Sequence, residues 1–364
     1  MRTLSADEVR WLRVRAQGLA GEASPIVASP TVAEAVRGAA AIQAQASGPA
    51  RLQVWSRTQT RTRTPTRGLR AADVDAAVAA AAVVRTWLMR GTIHMVAADD
   101  LRPFLAVLGP VNLRADRRRR DQLGLTEKLC ERAMEALPKI LGAGRALTRA
   151  EIVAELAGHG VVIDPKSQQP PHLLGFAAHS GLICRGPDAA RDEPTYVLLD
   201  DWSAHVPATP DRETALARLA TRYFAAYGPA TTADLVAWSG LPVADANAAV
   251  ALIRDILEEV DHDGHRLLLP RGTEPMPPEH PYRLLARFDP YLLGHRSREL
   301  ILDPAFAKRV NAGGGMIAQT MLADGRVVGT WKAGLLAPFE PTPTPTPAAA
   351  SQAWQRELAA AAAF

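Results

Sequence analysis

The chain has 364 residues, 48% of them hydrophobic, and a formal net charge of +4. No apolar run approaches the ~18 residues of a membrane span, and the amphipathic start MRTLSADEVRWLR lacks the apolar core of a signal peptide, so neither a membrane nor a secreted protein is expected. The distant cysteines Cys130 and Cys184 form no CxxC pair, which argues against a disulfide framework or zinc knuckle and for a reducing cytoplasm.

Ser5-Ala6-Asp7-Glu8 is a capping box that opens a helix through about Leu19. A second helix is expected from about Thr31 to Gln43, broken by Ser47-Gly48-Pro49. After a loop and the helix AADVDAAVAAA, the stretch VVRTWLMRGTIHMV reads as a hairpin turning at Arg90-Gly91. Helices followed by a two-stranded hairpin make the pattern of a winged helix-turn-helix.

The pattern recurs. Thr148-Arg149-Ala150-Glu151 caps TRAEIVAELAGHG, and HLLGFAAHSG follows, then LICRG and TYVLLD around the polar loop PDAARDEP. In a third unit, RLATRYFAAYG, TTADLVAWSG and VADANAAVALIRDI lead into LEEVDHDGHRLLLP, a hairpin with a DHDG turn. From about Glu279 the texture turns to strands, then to the extended spacer PTPTPTP and a docking helix. The expected fold is therefore mostly α with β hairpins (α+β), an internal repeat of winged units. Its divisions are 1–122, 123–208 and 209–272 for the three units, 273–340 for a β-rich subdomain, and 341–364 for spacer and helix. Winged helices also serve as protein-interaction modules, so the repeat alone does not establish DNA binding.

Charge is segregated along this chain. Residues 1–150 carry 24 Lys and Arg against 13 Asp and Glu, a balance of +11, and residues 151–364 carry 18 against 25, a balance of −7. A basic N-terminal portion points to a polyanion, although GC-rich coding also raises arginine content. Two stretches concentrate the charge. SRTQTRTRTPTRG, with Arg57, Arg61, Arg63 and Arg67, reads as an arm that tracks phosphates or as a solvated loop. Arg117 to Arg120 point all round a helix, so at most two of them can face one ligand. In the hairpin, Arg90, Thr92 and His94 share a parity and thus a face if the turn keeps register; a core role is the alternative for His94.

No metal or cofactor is expected. The histidines show no HxxxH or HExxH spacing, His262 and His265 flank a turn in an acidic wing, and Gly313-Gly314-Gly315 lacks the flanking elements of a phosphate cradle.

Gln43 and Gln45 remain. A buried primary amide has two donors and an acceptor to satisfy, and an unmade bond costs roughly 1–3 kcal/mol. In a helix, residues two apart face about 200° apart; they share a face only in extended or irregular backbone. Two readings stand: a structural pair that caps a helix end and bonds backbone, or a pair aimed into a cleft.

The ordered set IQAQ, LQVWSR, RTWLMRGTIHMV, FAAHSGLICRG, YGPATTADLVAWSGL, RFDPYLLGHRSR and DGRVVGTWK resembles the winged-helix DNA glycosylases of the AlkZ/YcaQ type over about residues 5–340. These bacterial enzymes excise bulky alkylated bases and unhook interstrand crosslinks. The resemblance implies tandem winged helices in a C-shaped clamp around DNA, with a β-rich subdomain. Their Gln–apolar–Gln (or Gln–apolar–Asp) signature falls on Gln43-Ala44-Gln45. One departure is Ala46, where members often carry an acid, which bears on how the water or amide is oriented.

By this resemblance the chain is expected to be a monofunctional glycosylase without a Schiff-base lysine, acting in DNA repair or self-resistance on cationic alkylpurines of the N7-alkylguanine type. Gln43 and Gln45 are the expected catalytic residues. Arg57, Arg61, Arg63, Arg90, Thr92, His94, Arg117, Arg118, His295 and Arg296 are the expected DNA contacts. The partner would be alkylated double-stranded DNA, met by a cytoplasmic, nucleoid-associated monomer. The competing readings are a DNA-binding regulator with no enzymatic activity and a lesion-binding resistance protein.

Overall fold

A computed structural model describes residues 1–20, 31–58, 69–203, 206–339 and 348–364. Strand β1 (Arg2–Thr3) precedes α1 (Ala6–Ala16), where Ser5 Oγ accepts from the Glu8 N–H and the Glu8 carboxylate accepts from the Ser5 N–H at 2.8 Å. The capping box thus starts the helix as expected, but the helix stops at Ala16.

The next segment differs from its reading as one helix. α2 (Val32–Gly38) stops early because Ala40 takes a φ of 61°, a left-handed turn that ends helical bonding. Ile42 and Gln43 form a strand, β2, against a later hairpin. Ser47-Gly48-Pro49 breaks nothing. It opens α3 (Ser47–Thr58), because proline in a first turn gives up an N–H that has no helical partner there.

α4 (Ala71–Ala79) leads to β3 (Val83–Trp87) and β4 (Ile93–Ala97), paired from Val83↔Ala97 to Trp87↔Ile93. The turn takes positive φ at Arg90 (54°) and Gly91 (68°). The long α5 (Ala98–Gln122) is anchored at its start by Asp100, fully buried and paired with Arg218 at 2.7 Å and Arg222 at 2.9 Å.

Next come α6 (Glu127–Leu141), β5 (Leu147–Thr148), α7 (Arg149–Gly158), α8 (Gln169–His179), β6 (Ile183–Arg185), β7 (Thr195–Leu198) and the turn α9 (Leu199–Trp202). After them, α10 (Arg212–Tyr227), α11 (Thr232–Ser239) and α12 (Val243–Leu252) precede β8 (Leu257–His262) and β9 (His265–Pro270). Asp263-Gly264, with φ of 49° and 77°, closes that last hairpin in the backbone form a two-residue turn demands.

β10 (Tyr282–Leu285), α13 (Pro290–Leu293), α14 (Ala307–Val310), β11 (Thr320–Ala323), β12 (Arg326–Lys332) and β13 (Leu335–Pro338) form the β-rich portion. α15 (Ala348–Ala363) docks on it: Trp354 meets Tyr282 edge-on at 5.1 Å, and Glu357 accepts from the Leu284 N–H. The PTPTPTP stretch lies outside the described residues.

Strand order in the largest sheet is β2-β4-β3-β6-β7-β5, so the β3–β4 and β6–β7 hairpins join edge to edge through the Arg85↔Arg185 pair. This junction places the site. The core beneath it is rich in aromatics, with Tyr223, Tyr227 and Trp238 at 5.1–5.5 Å from one another. The expected α+β class holds: helices dominate, with short antiparallel hairpins between them. Among the described residues no helix is long and apolar enough to cross a membrane.

Candidate active site

β2 sits at the sheet edge, pairing Gln43 with His94, which in turn pairs with Thr86. Cross-strand partners point to one face, so these three side chains form a row. Beyond Gln43 the chain leaves the ladder after the Ala44 N–H bonds the Ile93 carbonyl at 2.8 Å. This extended exit lets the two glutamines meet. Gln43 Nε2 donates to Gln45 Oε1 at 3.1 Å. Gln43 is 9% exposed, whereas Gln45 and Ala46 are open to solvent. The pair spends one hydrogen of the Gln43 amino group and one lone pair of Gln45 Oε1 on each other, and leaves the Gln43 side-chain oxygen, the second lone pair of Gln45 Oε1 and the Gln45 amino group for a ligand.

The backbone of this loop is held from three sides. Gln53, fully buried on α3, donates to the Gln43 backbone carbonyl at 3.2 Å and to the Arg287 backbone carbonyl at 3.1 Å. Arg185 reaches from the second hairpin to the Gln45 carbonyl at 3.1 Å, its guanidinium centre 5.7 Å from the Trp87 ring centroid. Ser47 is fixed by Arg85, which donates to its hydroxyl at 2.8 Å and to the Asp188 carboxylate at 2.9 Å; the Ser47 hydroxyl also bonds Asp188. Arg51, on the next turn of α3, pairs with Asp75 and Asp192, and the two carboxylates push its pKa up. None of these supports was read from the sequence. Arg185 is 140 residues from Gln45, and only the register between two hairpins brings them together.

His94 is buried beside Gln43. Burial lowers its pKa from 6.5 to about 3, and its Nδ1 is bonded to the Thr92 carbonyl at 2.9 Å. A carbonyl only accepts, so Nδ1 carries the hydrogen and Nε2 keeps its lone pair. His94 is therefore a neutral acceptor in the glutamine row.

Other expected contacts scatter. Arg57 is corrected: it belongs to the end of α3, is 0% exposed, and is paired with Asp289 at 2.8 Å, with no surface to offer a phosphate. Arg61 and Arg63 lie outside the described residues, as does Arg67. Arg90, Thr92 and His94 do not share a face. The turn at Arg90 sends its guanidinium to the carbonyls of Ala237 and Trp238, while Thr92 Oγ1 folds back on the Met89 carbonyl at 3.1 Å. His295 is uncharged, its pKa lowered to about 3 by burial and neighbouring Arg13, and its Nε2 is bonded to the Tyr227 carbonyl at 2.9 Å. It offers no charge to a phosphate.

Arg296 is exposed, its backbone N–H bonded to Asp234 at 2.9 Å. On α5, Arg117 and Arg118 are exposed; Arg119 bonds Gln168, and Arg120 is buried 4.8 Å from the Phe176 ring centroid. The four arginines thus divide as the helical period requires. Among the described residues, no group of three His, Cys, Asp or Glu side chains is placed to hold a metal ion.

Neutral buried histidines make stability pH-dependent. His94 and His179, the latter lowered to about 4 by burial, take up a proton near pH 6.5 only when unfolded. Stability is therefore present above pH 6.5 and is lost as pH falls below it, since the unfolded chain then binds the extra protons. At pH 5 each contributes a loss of about 2 kcal/mol. Melting temperature in matched buffers at pH 7.5 and pH 5 should fall accordingly, and replacing both residues with leucine should reduce the dependence to the part that His295 contributes.

The family model described as "DNA glycosylase AlkZ-like" matches residues 36–364. A curated relative, the interstrand DNA cross-link repair glycosylase of Streptomyces sahachiroi, is 27% identical over 270 residues, covering 71% of this chain and 72% of its own. The solved structure of Streptomyces sahachiroi DNA glycosylase AlkZ superposes with a TM-score of 0.81 at 25% identity, covering 100% of this chain and 98% of that one.

Proposed function

This chain belongs to the family of AlkZ-like DNA glycosylases, and from that premise we propose that it is a monofunctional glycosylase for bulky cationic alkylpurines of the N7-alkylguanine type, those in interstrand crosslinks included. The observation that carries the proposal is the hydrogen-bonded pair Gln43–Gln45 at the open end of β2, one amide buried and the other exposed.

Alkylation at N7 of guanine places a positive charge on the base. When the C1′–N bond breaks, its electron pair goes to the purine, which leaves neutral and needs no protonation. The sugar becomes an oxocarbenium ion, a state for which ordinary glycosidases keep two carboxylates. Here the carbonyl dipoles of Gln43 and Gln45 face that charge and accept the hydrogens of a water, whose lone pair is left to form the new C1′–O bond. The His94 Nε2 lone pair adds an acceptor in the same row. After bond formation the surplus proton passes to solvent. Amides held in advance suffice for a labile cationic adduct and accelerate loss of an uncharged base little.

A Schiff-base route needs a lysine. The five lysines stand on α6 (Lys128, Lys139), between α7 and α8 (Lys166), on α14 (Lys308) and on β12 (Lys332), none of them on β2 or on α3, which supports hydrolysis without lyase chemistry.

The proposal is tested by incubating the protein with N7-methylguanine DNA and with a crosslinked duplex, with and without hot alkali. Strand breaks should appear only after alkali. Absence of breaks on every adduct overturns the catalytic reading in favour of DNA binding alone. Arg185 is a positioning residue in this scheme. Arg185→Met should lower kcat about ten- to a hundredfold, since a charged hydrogen bond contributes roughly 1.5–3 kcal/mol, and should leave KM nearly unchanged. A matching rise in KM would place Arg185 on the DNA instead.

A further inference from the structure

A cavity of about 490 Å³ lies at the tip of the β3–β4 hairpin, between α5 and α8. That is within the range of small-ligand sites, roughly 300–1,000 Å³. Its lining includes Trp87, Asn112, His172 and His179, and neither Gln43 nor Gln45 is part of it.

The cavity wall carries neutral polar groups left over from the fold. His179 is 7% exposed, its Nδ1 has no hydrogen-bond partner among the described residues, and its Nε2 faces Gly91. Asn112 spends Nδ2 on the Leu88 carbonyl at 2.7 Å, so its Oδ1 is turned to the same glycine. The Trp87 Nε1 faces Gly175, where a Cβ would come within 3.5 Å of it. The charged lining groups are engaged: Asp116 is paired with Arg120 and bonds His172 at 3.0 Å, and the Arg90 guanidinium bonds the Ala237 and Trp238 carbonyls. Outside, Arg114 and Arg118 are exposed one helical turn apart on α5, beside the lining residues Val111 and Ala115.

We propose that this cavity receives a nucleobase turned out of the DNA helix, other than the base that is excised. A nucleobase is the ligand class that needs an aromatic surface, neutral donors and acceptors at its edge, and cations for its flanking phosphates, all of which are grouped here. An inorganic anion would meet one cation at the wall, Arg90, whose guanidinium is already bonded to the Ala237 and Trp238 carbonyls, and would also face the Asp116 carboxylate, and an apolar group would leave His179 and Asn112 unpaired at a cost. Trp87 connects the two sites, since the Arg185 that packs on its ring holds the Gln45 carbonyl. The inference rests on the glycosylase reading only in that DNA is bound.

The test uses undamaged DNA and the full chain. Affinities are measured by fluorescence anisotropy for three labelled duplexes: fully paired, with one bulged adenine, and with a tetrahydrofuran abasic bulge. Wild type should bind the adenine bulge about tenfold more tightly than the abasic bulge, within the effect of one stacked base. Gly175→Leu, which fills the space beside Trp87, should erase that preference and leave affinity for the paired duplex unchanged. His179→Leu should do the same with less steric demand, and it decides the matter if Gly175→Leu does not fold. Equal binding of the two bulges by wild type, or a preference that persists in either folded variant, overturns the proposal. The alkali assay on alkylated DNA is separate, so loss of one result leaves the other standing.

Discussion

Replacing Gln43 and Gln45 together with alanine is expected to cut excision of N7-alkylguanine at least ~100-fold, the loss typical of a deleted preorganised dipole, while binding to undamaged duplex persists. The fold should be nearly indifferent at Gln45, which is exposed, where surface changes usually stay within about 0.5 kcal/mol. Gln43 is 9% exposed and bonded to Gln45, so Gln43→Ala costs more stability. Because the residues act as a unit, either single variant should lose nearly as much activity as the double. Gln45→Glu keeps an acceptor for the Gln43 amide and adds a charge that suits an oxocarbenium ion, and it should retain more activity than Gln45→Ala. Alkali-revealed breaks in single-turnover reactions measure all four variants. Equal breakage by the double variant and wild type would sink the assignment of these glutamines. Ala46→Asp, at an exposed position, should leave folding unchanged, and its rate reads directly what a carboxylate after the pair contributes.

Local chemistry was legible in the sequence and distant pairing was not. The boxes at Ser5/Glu8 and Thr148/Glu151 start helices where their side chains say they should, because a cap is decided within four residues. The Arg90-Gly91 and Asp263-Gly264 turns were legible for the same reason. TVAEAVRGAAAIQAQ carries no such signal: small apolar residues suit a helix and an edge strand alike. Pairing with β4 decides the matter there, turning Ile42 and Gln43 into a strand. That same pairing answers why glutamines two apart can cooperate, since the backbone at β2 is extended where the periodicity suggested helix. Arg185, Arg85 and Asp188 were invisible as supports because their roles depend on how one hairpin abuts another. Charge counting misread Arg57 for a related reason: its threonine- and arginine-rich neighbourhood suggested an arm, and its partner lies 232 residues away.

Arg57→Ala is expected to destabilise the protein by about 3–5 kcal/mol, the cost of leaving one member of a buried ion pair without its partner. Both side chains are 0% exposed, and Arg57 also donates to Gln17 Oε1 at 2.8 Å, so the C-terminal cap of α1, α3 and the start of α13 lose a shared anchor. Asp289 also accepts from the Tyr291 N–H at 3.0 Å, and it keeps this smaller part of its stabilisation when Arg57 is gone. Asp289→Ala should therefore destabilise by a comparable amount, and Arg57→Ala with Asp289→Ala by clearly less than the sum, which urea unfolding of the four proteins measures. Additive losses would mean that the pair contributes nothing as a pair. The phosphate-arm reading makes the opposite forecast for DNA. An arginine on a phosphate lowers the slope of log affinity against log salt by about 0.9 when removed, whereas a buried one leaves it unchanged. Measured below the melting range of the variant, an unchanged slope for Arg57→Ala beside a reduced slope for Arg118→Ala separates the arginines that build this fold from those that meet DNA.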